Sequence, residues 1–344
     1  MRILHLLQSP HFSGAENVVC QIIGMFGDDP DFEMVYCSQD GQIREALSER
    51  GIQFYPMTKL CVPEVRRVIK EYKPDLIHAH DMRASLTAAL CCGKIPLVSH
   101  IHNNSFQSRG VSVKSIAYTL AGVKAKHIFW VSKSAYEGYI FKSYFEKKSS
   151  VLQNIIDIDA LYEKMQSDKN EYHYDIVYVG RLTYPKNPER LIGVLEKVCK
   201  KQANTKIAVV GTGDQEEKVK GLSREKSLDG NIDFLGFCSN PLKIMYDSKV
   251  MVMTSRWEGT PMCALEAQSL GVPIVSTPTD GLCDIITDGV NGFLSDNDDV
   301  LAEKLCQVID HPDLRQKMRN MSKDLMSGMM NKRQYAESIR NVYK

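Results

Sequence analysis

The chain is predicted to fold as α/β, in two facing Rossmann-like doubly wound domains, and three features of the sequence predict it. Short apolar runs recur with helical segments between them, the alternation that winds a parallel sheet. The runs fall into two similar sets on either side of Asp157 to Tyr174, a polar, charged stretch poor in apolar periodicity that reads as a linker. Glycines, histidines and charged residues collect just past the carboxyl ends of the runs, where open parallel sheets bind ligands. At 344 residues and 43% hydrophobic content the chain can build two proper cores.

In chain order, the first set of strands comprises Ile3 to Leu7, Met34 to Ser38, Asp75 to His80, Pro96 to Ile101 and His127 to Val131. A helix is expected over Val18 to Met25. The second set comprises Asp175 to Gly180, Lys206 to Gly211, Ile232 to Gly236, Val250 to Ser255, Pro273 to Thr277 and Gly292 to Ser295. After Val250 to Ser255, Thr260 is expected to cap a helix that begins at Pro261 and leaves through Gly271, since a fixed proline φ suits a first turn and glycine suits a left-handed exit. A further helix over Val300 to Ile309 takes its cap from Asp296-Asn297-Asp298. In the final segment Tyr335, Ile339, Val342 and Tyr343 share one helical face. The domains therefore run over residues 1–160 and 161–330, with a tail at 331–344.

A formal net charge of +1 recommends no polyanion, so no nucleic-acid partner is expected. No apolar run approaches the about eighteen residues of a membrane span, and Met1-Arg2 leads into a strand-like ILHLL in place of a signal segment, so the chain is expected to be cytoplasmic. Ten scattered cysteines with no C-x-x-C pair suggest neither a zinc site nor a disulfide framework.

Within the first domain, Gly14 and Ala15 in SPHFSGAEN let backbone approach a ligand, although one glycine alone is equally an ordinary strand-to-helix turn. His78, His80 and Asp81 close one strand, and the H-x-H spacing sets both imidazoles on one face. A metal would need a third ligand, and the spacing offers no obvious partner set, so no metal is expected. His100 and His102 end the next strand, and Asn103 and Asn104 shape the turn after it. From Ser105 to Lys148 there are eight Lys or Arg against two Glu, with Val113, Ile116, Ala117, Leu120 and Val123 as an apolar stripe beside them. Such a stretch is either a solvated face or a peripheral contact with an anionic membrane.

Within the second domain the candidates are Arg181 and Lys186 after the first strand and the Gly211-Thr212-Gly213 turn after the second. Phe237 and Cys238 follow the third, and Phe237 is either a core residue or the neighbour of a base. Glu258 sits in the turn before Gly259-Thr260-Pro261-Met262, and Glu266 lies inside the following helix, where an ionised carboxylate needs donors. The start of that helix, with its free N–H groups and dipole, is a phosphate seat. The two D-x-D pairs, Asp157/Asp159 and Asp296/Asp298, are read as structural.

Two glutamates with seven residues between them, Gly259 after the first and Ala267 after the second, followed by Asp280-Gly281 and by the run Ile285 to Leu294, resemble the E-x7-E pattern of retaining glycosyltransferases of the GT-B family 4. G-R-L-x-x-x-K-N at Gly180 to Asn187 is similar to that family's donor clamp, and Ser13-Gly14-Ala15-Glu16 to its G-G-A-E loop, with Ser13 where a glycine is usual. The resemblance implies a nucleotide-sugar donor, by analogy a UDP-sugar, with Glu266 on the ribose and Arg181 and Lys186 on the diphosphate. It sets Glu258 and Gly259 to Met262 on the sugar, Gly211, Gly213, Phe237 and Cys238 around the donor, and Ser13, Gly14, His80 and His102 on the acceptor side. It further implies a saccharide or lipid-linked acceptor, no cofactor, and a C-terminal helix crossing back to the first domain. Two rivals remain open: a non-hydrolysing nucleotide-sugar epimerase, and a non-catalytic nucleotide-sugar-binding protein.

Overall fold

The computed structural model describes residues 1–102, 108–329 and 331–344. The chain divides into two compact units, Met1–Asn154 with Arg333–Lys344, and Ile155–Lys332. Residues 155–160, which the sequence reading gives to the first domain, thus group with the second.

In the first unit the described residues form a parallel sheet ordered β3-β2-β1-β4-β5-β6-β7. Its strands are β1 (Arg2–Leu6), β2 (Glu33–Gln39), β3 (Phe54–Met57), β4 (Leu76–His80), β5 (Leu97–Ile101), β6 (His127–Trp130) and β7 (Ser149–Val151). Its helices are α1 (Gly14–Met25), α2 (Ile43–Ser48), α3 (Val62–Tyr72), α4 (Asp81–Ala89), α5 (Val113–Lys124) and α6 (Lys133–Glu137). The central strands are buried along their whole length, as the apolar runs predict for strands covered on both faces. The two strands the sequence reading misses, β3 and β7, are the sheet's edges. β3 carries Pro56, tolerated where a ladder N–H is not needed, and β7 is a three-residue polar run, SSV.

The second unit contains α7 (Ile158–Ser167), α8 (Pro188–Lys201), α9 (Glu216–Glu225), α10 (Leu242–Asp247), α11 (Met262–Ser269), α12 (Asp280–Cys283), α13 (Asp298–Asp310) and α14 (Pro312–Met329). These helices flank a parallel sheet ordered β10-β9-β8-β11-β12-β13, of strands β8 (Ile176–Val179), β9 (Ile207–Val210), β10 (Ile232–Gly236), β11 (Val250–Met253), β12 (Ile274–Ser276) and β13 (Gly292–Leu294). All six are at the positions that the apolar runs mark. The stretch expected to be a linker is largely helix instead. Asp157 caps α7 by accepting from Ala160 N at 3.2 Å, and Leu161 and Met165, four apart, supply the buried face that the surrounding charges disguise.

The tail forms α15 (Lys332–Tyr343), with Tyr335, Ile339 and Tyr343 buried as their spacing predicts. It belongs with the first unit, where Arg340 pairs with Asp29 and the Tyr343 hydroxyl lies 2.7 Å from His78 Nδ1. No helix of the described residues is long and apolar enough to cross a membrane.

Candidate active site

In the second unit the motif residues lie at the carboxyl ends of four neighbouring strands. Backbone bonds stitch these ends together: Gly180 N donates to Val210 O at 3.0 Å, Leu182 N to Thr212 O at 2.9 Å, Gly211 N to Gly236 O at 2.7 Å and Arg256 N to Pro185 O at 2.8 Å. Gly211, at φ +133°, and Gly213 are required by this stitching. A Cβ would stand 2.0 Å from Gly180 O at the first and 2.2 Å from Leu182 O at the second, so both shape the loop that carries Arg181. A Cβ on Gly281 would meet Gly259 O at 1.2 Å, which explains the glycine after Asp280 and fixes the turn behind Glu258.

Lys186 Nζ donates to Glu258 Oε1 at 2.5 Å, and Ser255 Oγ donates to the same oxygen at 2.6 Å. Both charged side chains are largely buried. Burial pulls the Lys186 ammonium down, but the Glu258 carboxylate more than offsets it, so the lysine stays charged. Arg181 is exposed, and its guanidinium makes no hydrogen bond among the described residues. It lies close enough to oppose the charge on Lys186.

Cys263 ties this pair to the second glutamate. Burial pushes its thiol up to about 12, with Lys186 opposing and Glu258 and Glu266 adding to the rise. Glu266 itself is pushed up to about 7 by burial, against the pull of Lys164. A carboxyl held so high has room to gain from hydroxyl donors, which favour its ionised form. Lys186 and Glu258 therefore meet, with Arg181 near the lysine, and Glu266 lies on α11 one turn beyond Cys263. Neither Ser255 nor Cys263 stands out as a site residue in the sequence: a serine three residues before Glu258 is unremarkable there, and only the fold sets Cys263 near Lys186.

One detail differs from expectation, and one alternative left open is decided. Pro261, with extended backbone at ψ 119°, occupies the N-cap position of α11, which starts one residue later, at Met262, so Thr260 stands outside the cap. Phe237 is not core: it is 66% exposed at the end of β10, beside the half-buried Cys238. Gly271, at φ +79°, ends α11 as predicted. Three of the four D-x-D carboxylates have structural partners: Asp157 caps α7 and pairs with Lys332 at 2.8 Å, and Asp296 and Asp298 both bind Arg190.

In the first unit α1 begins at Gly14, four residues earlier than the apolar pattern suggests, with Ser13 at its N-cap position. The Ser13 hydroxyl donates to the Glu16 carboxylate, so the residue in place of the usual glycine orders the first turn of the helix. Five imidazoles crowd the carboxyl ends of β1, β4 and β5. His80 Nδ1 lies 2.8 Å from His102 Nε2 and His80 Nε2 lies 3.0 Å from His5 Nδ1, while His100 stacks on His102 with ring centroids 4.1 Å apart. Burial takes His5 and His102 down to about 3 and His78, His80 and His100 well below the ordinary imidazole range, so the cluster is neutral at pH 7. His102 N donates to Asp81 Oδ1 at 2.9 Å, which anchors the end of the strand. Asn103 and Asn104 lie outside the described residues.

Two family models match adjacent parts of the chain: "Glycosyltransferase Family 4" over residues 13–160 and "Glycosyl transferases group 1" over residues 162–325. An uncharacterized glycosyltransferase of Methanocaldococcus jannaschii is 27% identical over 240 residues, covering 62% of this chain and 58% of the relative. The UDP-Gal:alpha-D-GlcNAc-diphosphoundecaprenol alpha-1,3-galactosyltransferase of Escherichia coli is 23% identical, covering 100% of this chain and 96% of the relative. Among solved structures, Anabaena HepE in complex with UDP-glucose superposes with a TM-score of 0.86 at 21% identity, covering 100% of this chain and 99% of that one. Matched over both its units and sharing this architecture, the chain belongs to the family 4 type of GT-B glycosyltransferases.

Proposed function

We propose that the chain moves a hexose or N-acetylhexosamine from a UDP-sugar to a saccharide or lipid-linked saccharide in cell-surface glycan synthesis, with retention at the anomeric carbon and no metal on the diphosphate. The observation that carries the reading is the buried Lys186–Glu258 pair beside a guanidinium free to meet phosphate. In this reading an incoming diphosphate takes Lys186 from Glu258, and Arg181 closes on the same phosphates. Glu258 and the backbone of Gly259 to Met262 then turn to the sugar hydroxyls, Glu266 receives the ribose hydroxyls, and Phe237 and Cys238 flank the uracil. The donor class is supported by the E. coli relative, whose name states UDP-Gal, and by HepE, which binds UDP-glucose.

The first unit supplies the acceptor side through Gly14, His80 and His102. The acceptor oxygen bonds to the anomeric carbon on the face from which the diphosphate departs, the bond from that carbon to phosphate oxygen breaks, and the departing oxygen takes the acceptor proton. Two cations on the diphosphate stabilise the charge that gathers there, the task a metal performs elsewhere. Peripheral contact with the inner face of an anionic membrane, for a cytoplasmic enzyme, is supported by α5. Its Val113, Ile116, Leu120 and Val123 are all exposed in a stretch rich in lysine.

The test is UDP release from a panel of UDP-sugars with candidate acceptors. Glu258→Ala is expected to abolish acceptor-dependent release while leaving the circular dichroism unchanged. Normal turnover in that variant overturns the reading, and acceptor-free conversion of the donor sugar points to the epimerase.

A further inference from the structure

The imidazole cluster of the first unit is larger than the acceptor role needs. A ring nitrogen from each of His80, His100 and His102 lies within 4.8 Å of the other two. Nitrogens that share a tetrahedral zinc ion at about 2.0–2.1 Å stand roughly 3.3 Å apart. His80 Nδ1 and His102 Nε2, at 2.8 Å, are near that spacing, and a His100 nitrogen lies within 4.8 Å of both. Both nitrogens of buried His100 and Nδ1 of His102 have no hydrogen-bond partner among the described residues. A buried nitrogen of His100 left without a partner is costly unless something binds it.

The surroundings fit coordination. A ligating imidazole usually gives its second N–H to an orienting acceptor, and His80, ligating through Nδ1, keeps Nε2 for His5 Nδ1 at 3.0 Å. His102 is half-buried where His80 and His100 are buried, so a fourth ligand would have to come from its side of the set. A second triad, His5, His78 and His80, is sealed on all sides, and its His78 Nδ1 is engaged by the Tyr343 hydroxyl.

We propose that His80, His100 and His102 bind one divalent transition-metal ion of the zinc class, with His5 as the orienting partner of His80. Three imidazoles favour such an ion over the oxygen-seeking magnesium and calcium. H-x-H spacing alone lacks a third ligand; the pairing of β4 with β5 supplies it, setting His80 opposite His100. The inference does not rest on the transfer reading, because it asks only for a folded chain.

The test is equilibrium dialysis of the full chain, stripped with a chelator, against zinc sulfate. One equivalent is expected, and X-ray absorption should report imidazole nitrogens at about 2.0 Å. His100→Phe should weaken binding by about 100-fold or more, whereas His11→Ala, at a surface histidine, should leave it unchanged. Cobalt(II) in the native chain should give tetrahedral bands without a thiolate charge-transfer band, a readout that decides the matter even where His100→Phe fails to fold. Absence of stoichiometric binding, unaltered binding in His100→Phe, or a thiolate band overturns the proposal.

Discussion

In the first unit five imidazoles lie against one another without a charge, while in the second a lysine and a glutamate lie buried as ions 2.5 Å apart. A neutral imidazole has no charge to desolvate, so such a group survives burial even where, as at His100, its nitrogens lack partners among the described residues. Buried ions lose their hydration and recover it only through a close partner. The difference teaches where phosphate chemistry can occur. A neutral cluster offers no field to hold a diphosphate, whereas Lys186 is a cation that can change partners and Arg181 is one whose guanidinium has no partner among the described residues.

The largest expected effect comes from breaking the charged pair. Lys186→Ala strands Glu258 in a buried site and should cost about 3–5 kcal/mol of stability, the range for removing one member of a buried pair. It should also cut transfer by about 10³-fold. Arg181→Ala removes an exposed group, so urea unfolding should shift by no more than about 0.5 kcal/mol while transfer still falls about 10²-fold. Equal stability losses in the two variants would erase the contrast.

Glu266 gives a smaller effect with a definite sign. Its folded carboxyl titrates near 7 and its unfolded one at the ordinary value of about 4.3, so the folded state holds a proton that the unfolded state has already released. Stability is therefore greatest below the unfolded value, falls as pH rises through 7, and is level above. Glu266→Gln should remove that slope and be more stable than the native chain by about 1–2 kcal/mol at pH 8, a figure reduced from about 1.4 per pKa unit because the carboxyl is partly exposed. Because ribose hydroxyls favour the ionised acid, UDP affinity measured by calorimetry should rise from pH 6 to pH 8 in the native chain and stay flat in the variant. A flat native profile would remove Glu266 from the ribose.

The smallest effect on the fold is expected at α5. Ile116→Ser with Leu120→Ser changes two exposed side chains, 55% and 61% accessible, and should leave stability within about 0.5 kcal/mol. Flotation with phosphatidylglycerol vesicles should nonetheless drop, and unchanged flotation would assign the stripe to solvent.

Much of this was legible because backbone geometry imposes its periods on the sequence. The apolar runs of the second unit mark every strand of its sheet, and Tyr335, Ile339 and Tyr343 mark the buried face of α15. Where the local signal was faint, the reading failed: Pro56 masks one edge strand, a polar tripeptide hides the other, and a charged context hides the Leu161–Met165 pair that makes α7 a helix. Phe237 shows the limit from another side, since an aromatic after a strand looks the same in sequence whether it is core or exposed.

What the sequence determined by itself was thus the set of elements, the two-unit division in outline and the motif residues at strand ends, because these depend on spacings of a few residues. Tertiary structure alone decided which distant residues meet. Lys186 reaches Glu258 across 72 positions because β8 pairs with β11, and His5 reaches His80 across 75 because β1 pairs with β4. Strand order, which no local spacing encodes, converts two lone charges into a pair and scattered histidines into a cluster.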